Sequence, residues 1–137
     1  MVTSPYQAYA RAQATTSTQG ELLVLLYRGA SRFAAKARLQ LRDGALEGAH
    51  NSLMRAQEIV LELVHGLKPN GDPAVDNLCG LHTYIYRILY EANVRKRGEL
   101  IDQAVGQLCD LLETWERIVM PGRHPEAGRI VLIDRHC

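Results

Sequence analysis

The stretch Glu21-Leu22-Leu23-Val24-Leu25-Leu26-Tyr27-Arg28-Gly29-Ala30, running on to Phe33, decides how the chain folds. Leu22 to Tyr27 are six consecutive apolar or aromatic residues. That is too many for one helical stripe and too few to cross a membrane, which takes roughly 20. Thr18, three residues before Glu21, reads as a capping box and starts a helix here. In this helix, expected over 19–42, Leu22, Leu26, Ala30, Phe33, Ala37 and Leu41 recur at steps of three or four and form an inner stripe. Leu23 and Tyr27 fall outside that stripe and are left for another surface. Asp43-Gly44 ends the helix. Gly29 inside it costs about 1 kcal/mol against alanine, which close approach of a neighbouring helix would justify.

Three more helices follow. The second, over 45–66, has the cleanest period in the chain: Leu46, Ala49, Leu53, Ala56, Val60, Leu63 and Leu67 alternate steps of three and four, a heptad pattern. After Lys68-Pro69-Asn70-Gly71, Asp72-Pro73 supplies an N-cap and a proline at the first helical position. The third helix, over 73–97, carries Val75, Leu78, His82, Ile85, Leu89 and Ala92 on its stripe, and further apolar or aromatic residues off it, among them Leu81, Tyr84, Tyr86, Ile88 and Tyr90. Arg95-Lys96-Arg97 suits the negative end of its dipole better than a phosphate site. The fourth, over 99–119, uses Ile101, Val105, Leu108, Leu112, Trp115 and Val119, and Met120-Pro121-Gly122 stops it.

Four helices of similar length, most joined by short turns, predict an all-α antiparallel up-down bundle. The expected organisation is one domain over 1–137: an N-terminal cap segment over 1–17, the bundle over 18–120, and an irregular tail over 121–137. Ile130 to Ile133 in that tail are apolar, and the pattern does not decide whether they add a strand, dock or stay loose.

Composition narrows the function classes. With 16 basic and 15 acidic residues the formal charge is +1, without the basic excess of a nonspecific nucleic-acid binder. No nucleic acid and no membrane insertion are expected. Three widely spaced cysteines make a disulfide framework unexpected and fit a reduced compartment. The N-terminus lacks the pattern of a secretory signal, so a soluble, cytoplasmic protein is expected.

Catalytic readings are weak. Glu47-x-x-His50 and Glu62-x-x-His65 have the spacing used by di-iron bundles, but both lie on one helix, about 22 Å apart along its axis, and off the core register. Cys79-x-x-His82 offers two zinc ligands where a structural site wants four. No nucleophile elbow or phosphate-cradling glycine loop appears. The chain reads as a non-enzyme with no metal and no cofactor. What remains is surplus apolar surface, which suits a groove for a partner helix. Sealing by the N-terminal segment or the tail, or by a homodimer, fits the periodicity equally.

Tyr9, Thr16, Gly20-Glu21-Leu22 and Leu26-Tyr27-Arg28-Gly29-Ala30 stand in order along the first part of the chain. Arg55-Ala56-Gln57-Glu58-Ile59-Val60-Leu61-Glu62-Leu63 follows, then Leu78, Leu81, Tyr84-Ile85, Leu89, Ala92-Asn93 and Thr114-Trp115. In this order and spacing the residues resemble the FliS family, chaperones for flagellin export, whose Leu-Tyr-Asp-Gly-Ala is similar to Leu26–Ala30. Arg28 stands where the family has aspartate, His82-Thr83 where it tends to have Tyr-Asp, and Gln19 where proline is common. The resemblance implies a cytoplasmic chaperone that holds the disordered C-terminal segment of flagellin on apolar grooves. Holding it blocks premature polymerisation, and the chaperone then delivers it to the flagellar type III export apparatus. A diverged helical adaptor or a self-associating structural protein with another client is the alternative.

Tyr6, Tyr9, Leu23, Tyr27, Tyr86, Tyr90 and Asn93 are the expected partner-facing residues. Tyr6 and Tyr9 share a helical face and would anchor a cap over the binding surface. Removing residues 1–10 is therefore expected to change partner affinity, measured by titration, while the thermal melt stays nearly intact.

Overall fold

The computed structural model describes residues 18–119 and 137. Four helices fill the first of these spans: α1 (Gln19–Arg42), α2 (Leu46–Gly66), α3 (Pro73–Arg95) and α4 (Gly98–Val119). The cap segment with Tyr6 and Tyr9, and the apolar run 130–133, lie outside the described residues.

Local chemistry explains the helix ends. The Thr18 hydroxyl accepts from the Glu21 amide and the Glu21 carboxylate accepts from the Thr18 amide, at 3.1 and 3.0 Å. This is the reciprocal capping box. Asp72 caps α3 by accepting from the Ala74 amide, with Pro73 at the first helical position. Asp76 reaches back to accept from the amides of Asn70 and Gly71, which fixes the loop before α3. At the far end of α3, Lys96 takes a left-handed conformation and its Nζ donates to the Asn93 carbonyl. The cationic cluster thus serves the helix terminus: Lys96 caps it, Arg95 pairs with Glu91, and Arg97 pairs with Glu99.

The helices form a ring in which α1 packs on α2 and α4, and α3 packs on the same two. Contacts join opposite ends of neighbours: Arg28 to Glu116, Arg38 to Asp102, His50 to Asn93. Neighbouring helices are therefore antiparallel, the up-down bundle that four short-linked helices favour. No strand occurs among the described residues.

α1 lies closest to its neighbours. Ala30, Ala34 and Ala37, all fully buried, leave room for that approach. A methyl at Gly29 would stand 3.3 Å from Ile59 Cδ1 on α2, and one at Gly20 would stand 2.8 Å from Val119 Cγ2 on α4. A side chain at Gly20 would thus have to displace Val119, whereas at Gly29 only the end of Ile59 would have to give.

One expectation about α1 needs correction. Its buried residues are Val24, Leu26, Tyr27, Ala30, Ser31, Ala34 and Ala37, whereas Leu22, Phe33 and Leu41 are only partly covered. The buried arc is rotated from the expected stripe toward Val24, Tyr27, Ser31 and Ala34. Tyr27, expected on an outer surface, is fully buried in that arc.

The cysteine reading changes as well. Cys109 and Cys137 form a disulfide, although 28 positions separate them. Spacing along the chain does not reveal that residue 137 lies beside α4. Leu53 and Leu112 are core residues on the expected stripes. Leu53→Ala should cost about 2–5 kcal/mol, read as a lower urea midpoint with the slope unchanged.

Candidate partner-binding site

The antiparallel pairing of α2 and α3 sets a ladder of residues along their shared seam. On α2, His50, Gln57 and Val64 recur every seven residues; on α3, Asn93, Tyr86 and Cys79 do the same in the opposite direction. Seven residues are nearly two full turns, so each set stays on one side of its helix. At one end His50 Nδ1 and Asn93 Oδ1 share a hydrogen bond at 3.2 Å. At the other, Val64 and Cys79 line an open depression of about 480 Å³ together with Leu67, Pro69, Gly80 and Thr83. The Cys79 thiol donates to the Leu67 carbonyl and closes the floor of that end.

Gln57 and Tyr86 occupy the middle of the ladder. Gln57 is 5% exposed, and its Oε1 has no hydrogen-bond partner. Leaving a buried acceptor unpaired costs on the order of 1–3 kcal/mol. Tyr86 is half-buried and packs on the core. Helical spacing places Met54 on the α3 side of α2, and Tyr90 and Val94 on the α2 side of α3. These three are 41%, 56% and 64% exposed, so apolar side chains flank the seam on both helices.

The expected contact residues therefore divide. Tyr86 and Tyr90 lie along the seam. Leu23 is half-buried in the opening turns of α1, packed on the core and away from the seam. Asn93 is at the seam but buried, and its Oδ1 accepts from Lys96 Nζ at 2.7 Å in addition to meeting His50. Tyr6 and Tyr9 lie outside the described residues.

Tyr27 belongs to a different arrangement. It is the ninth residue of α1 and meets His82, the tenth of α3, across the bundle interior. Its hydroxyl and His82 Nε2 share a hydrogen bond at 2.7 Å, and both residues are fully buried. The backbones of α1 and α3 do not touch, so this pair links the diagonal helices. Burial pushes the Tyr27 phenol well above its ordinary range and the His82 imidazole down to about 4. His82 Nδ1 has no partner. Among the described residues, no group of three or more metal-ligating side chains is gathered, and no helix is long and apolar enough to cross a membrane. The two Glu-x-x-His pairs stay apart on α2, with His50 and His65 exposed.

The family model for flagellar protein FliS matches residues 2–122. The chain belongs to the FliS family. Among its FliS relatives is a protein of Bacillus subtilis (strain 168), 27% identical over 93% of this chain and 95% of the relative. Another, from Campylobacter jejuni, is 29% identical over 82% and 89% of the two chains. A third, from Salmonella typhimurium, is 28% identical over 84% and 90%. Each of the three is named a flagellar secretion chaperone FliS.

Two departures from the FliS pattern have structural partners here. Arg28, in place of aspartate, donates to Glu116 at 2.5 Å and ties α1 to α4. His82 is the residue that receives Tyr27. Sequence reasoning missed Gln57, Met54 and the Val64–Cys79 depression. The signal for Gln57 and the depression was the seven-residue ladder beside the core stripe, visible only once α2 and α3 are set antiparallel, and Met54 lies one turn from Gln57 on the same side.

His82 makes stability depend on pH. The unfolded imidazole titrates near 6.5 and the folded one near 4, so the unfolded state binds the proton first as pH falls. Stability is complete above the unfolded value and declines as pH drops toward the folded one. Denaturation at pH 5 should show about 2 kcal/mol less stability from this group than at pH 7. His82→Gln should flatten that difference in parallel urea titrations.

Proposed function

We propose that this protein is a flagellar secretion chaperone that holds the disordered C-terminal segment of flagellin along the α2–α3 seam. In this reading the segment becomes partly helical on the chaperone and lays its apolar face between Met54 on one side and Tyr90 and Val94 on the other. Tyr86 lines the floor, and a donor from the client satisfies Gln57 Oε1. The observation that carries the reading is this seam: flanked by exposed apolar side chains, with an unpaired buried acceptor at its centre, in a chain of the FliS family.

Coupled folding and binding fits the task. A disordered client that orders on the chaperone loses entropy, so it covers a large surface without becoming hard to release. Holding that segment in the cytoplasm prevents premature polymerisation and leaves the subunit ready for the export apparatus. Tyr6 and Tyr9, which lie outside the described residues, are in this proposal the anchors of a cap that the client displaces. Tyr27 and Asn93 act from beneath, by keeping α3 in place, and Leu23 supports the opening turns of α1.

The test is a titration with a peptide covering the C-terminal segment of flagellin from the same organism. Heat and helicity, followed by calorimetry and circular dichroism, should show 1:1 binding, a gain in helix and a negative heat-capacity change. Tyr90→Ala should weaken binding about tenfold or more, roughly 1.4 kcal/mol, and shift stability by no more than about 0.5 kcal/mol. Absence of binding by a folded bundle would refute the proposal. Concentration-dependent self-association that buries Tyr90 would favour a structural protein instead.

A further inference from the structure

The α1–α4 seam lies on the side of the ring opposite the α2–α3 seam and carries two ion pairs. Asp102, Cys109 and Glu116 recur every seven residues along α4. The two carboxylates meet Arg38 and Arg28 on α1, at 2.9 and 2.5 Å. Cys109 sits midway between these ion pairs, on the same stripe, and is 1% exposed. Its disulfide partner Cys137 is exposed. The free cysteine among the described residues, Cys79, is buried on the other side of the ring with its thiol bonded to the Leu67 carbonyl.

We propose that the Cys109–Cys137 disulfide is a reversible redox latch that fastens residue 137 over the α1–α4 seam. The bond pairs a buried half with an exposed half, and only the exposed half is reachable by a small thiol. A low-molecular-weight thiolate attacks Sγ of Cys137, the S–S bond breaks, and Cys109 leaves as a thiolate that takes a proton from water. A second thiolate attacks the mixed disulfide on Cys137, releasing that thiolate and a low-molecular-weight disulfide. The net change is one protein disulfide and two small thiols converted to two protein thiols and one small disulfide. The reverse exchange, with oxidised glutathione as the disulfide, closes the latch.

Closing it restrains the unfolded chain between positions 109 and 137, so the closed form is the more stable one. Cys79 does not compete, because its seat is on another seam and buried. The latch therefore responds to the thiol poise around the protein without rearranging the core.

The experiment equilibrates the full chain in glutathione buffers from reducing to oxidising, quenches exchange with acid, then unfolds the chain in denaturant, alkylates the free thiols and maps them by mass spectrometry. The expected result is one labelled cysteine, Cys79, in the oxidised protein, all three in the reduced protein, and a 109–137 cross-linked peptide that disappears between them. The thermal midpoint should fall by several degrees on reduction. Cys137→Ser, which alters only an exposed position, should match the reduced wild type and ignore reductant, while Cys79→Ser should keep the redox response. The proposal is overturned if all three thiols label after oxidised glutathione, or if Cys137 forms disulfide-linked dimers instead. A wild-type midpoint that does not move on reduction also overturns it.

Discussion

The hydrogen bond between Tyr27 and His82 is the constraint on which the rest of the arrangement depends. It crosses the interior between two helices whose backbones do not meet, and it does so among fully buried neighbours. Apolar packing alone tolerates small rotations of a helix about its axis. A buried phenol that must find one particular nitrogen does not, because a lost partner leaves a polar group unsatisfied in a medium that penalises it. The pair therefore fixes the rotation of α1 against α3. With that set, the small residues of α1 face its neighbours, and the outward faces of α2 and α3 are determined.

The two opposite seams of the ring then have different characters. Along α1 and α4, Arg28 and Arg38 meet Glu116 and Asp102, and the Cys109–Cys137 bond lies between them. That side is closed by its own side chains. Along α2 and α3, His50 and Asn93 close one end, while Gln57 keeps an unpaired acceptor and Met54, Tyr90 and Val94 stay exposed. The same seven-residue repeat produces both seams. The difference lies in which residue types occupy the repeat, and it leaves apolar side chains exposed along one seam and charged pairs along the other.

Helix ends were legible in the sequence because they are local. Thr18 with Glu21, and Asp72 with Pro73, act within one turn, and each cap forms where the pattern places it. The stripes of α2 and α4 were legible because polar residues interrupt the apolar ones and so carry phase. Leu46, expected on the α2 stripe, is the exception, 53% exposed in the first turn of the helix where little packs over it. In α1, six apolar residues in a row carry no phase, and that is why Tyr27 was read on the wrong side. Asn93 was misjudged for a related reason: its burial depends on His50 and Lys96, which a one-helix pattern does not include. The disulfide depends on where residue 137 lies in space, which no local rule supplies. Tyr86 and Tyr90 were legible as surplus aromatics beyond the core stripe, though not the antiparallel pairing that sets them beside α2.

Residue-resolved mapping of backbone amides by NMR, with and without the flagellin C-terminal peptide, tests the central claim most directly. The account predicts that amides along 50–64 of α2 and 79–94 of α3 shift on binding. Those of α1 and α4 facing their own seam should stay unchanged, and the Tyr27 hydroxyl should remain protected. Shifts concentrated on the α1–α4 side, or an undisturbed α2–α3 seam in a saturated complex, would contradict it.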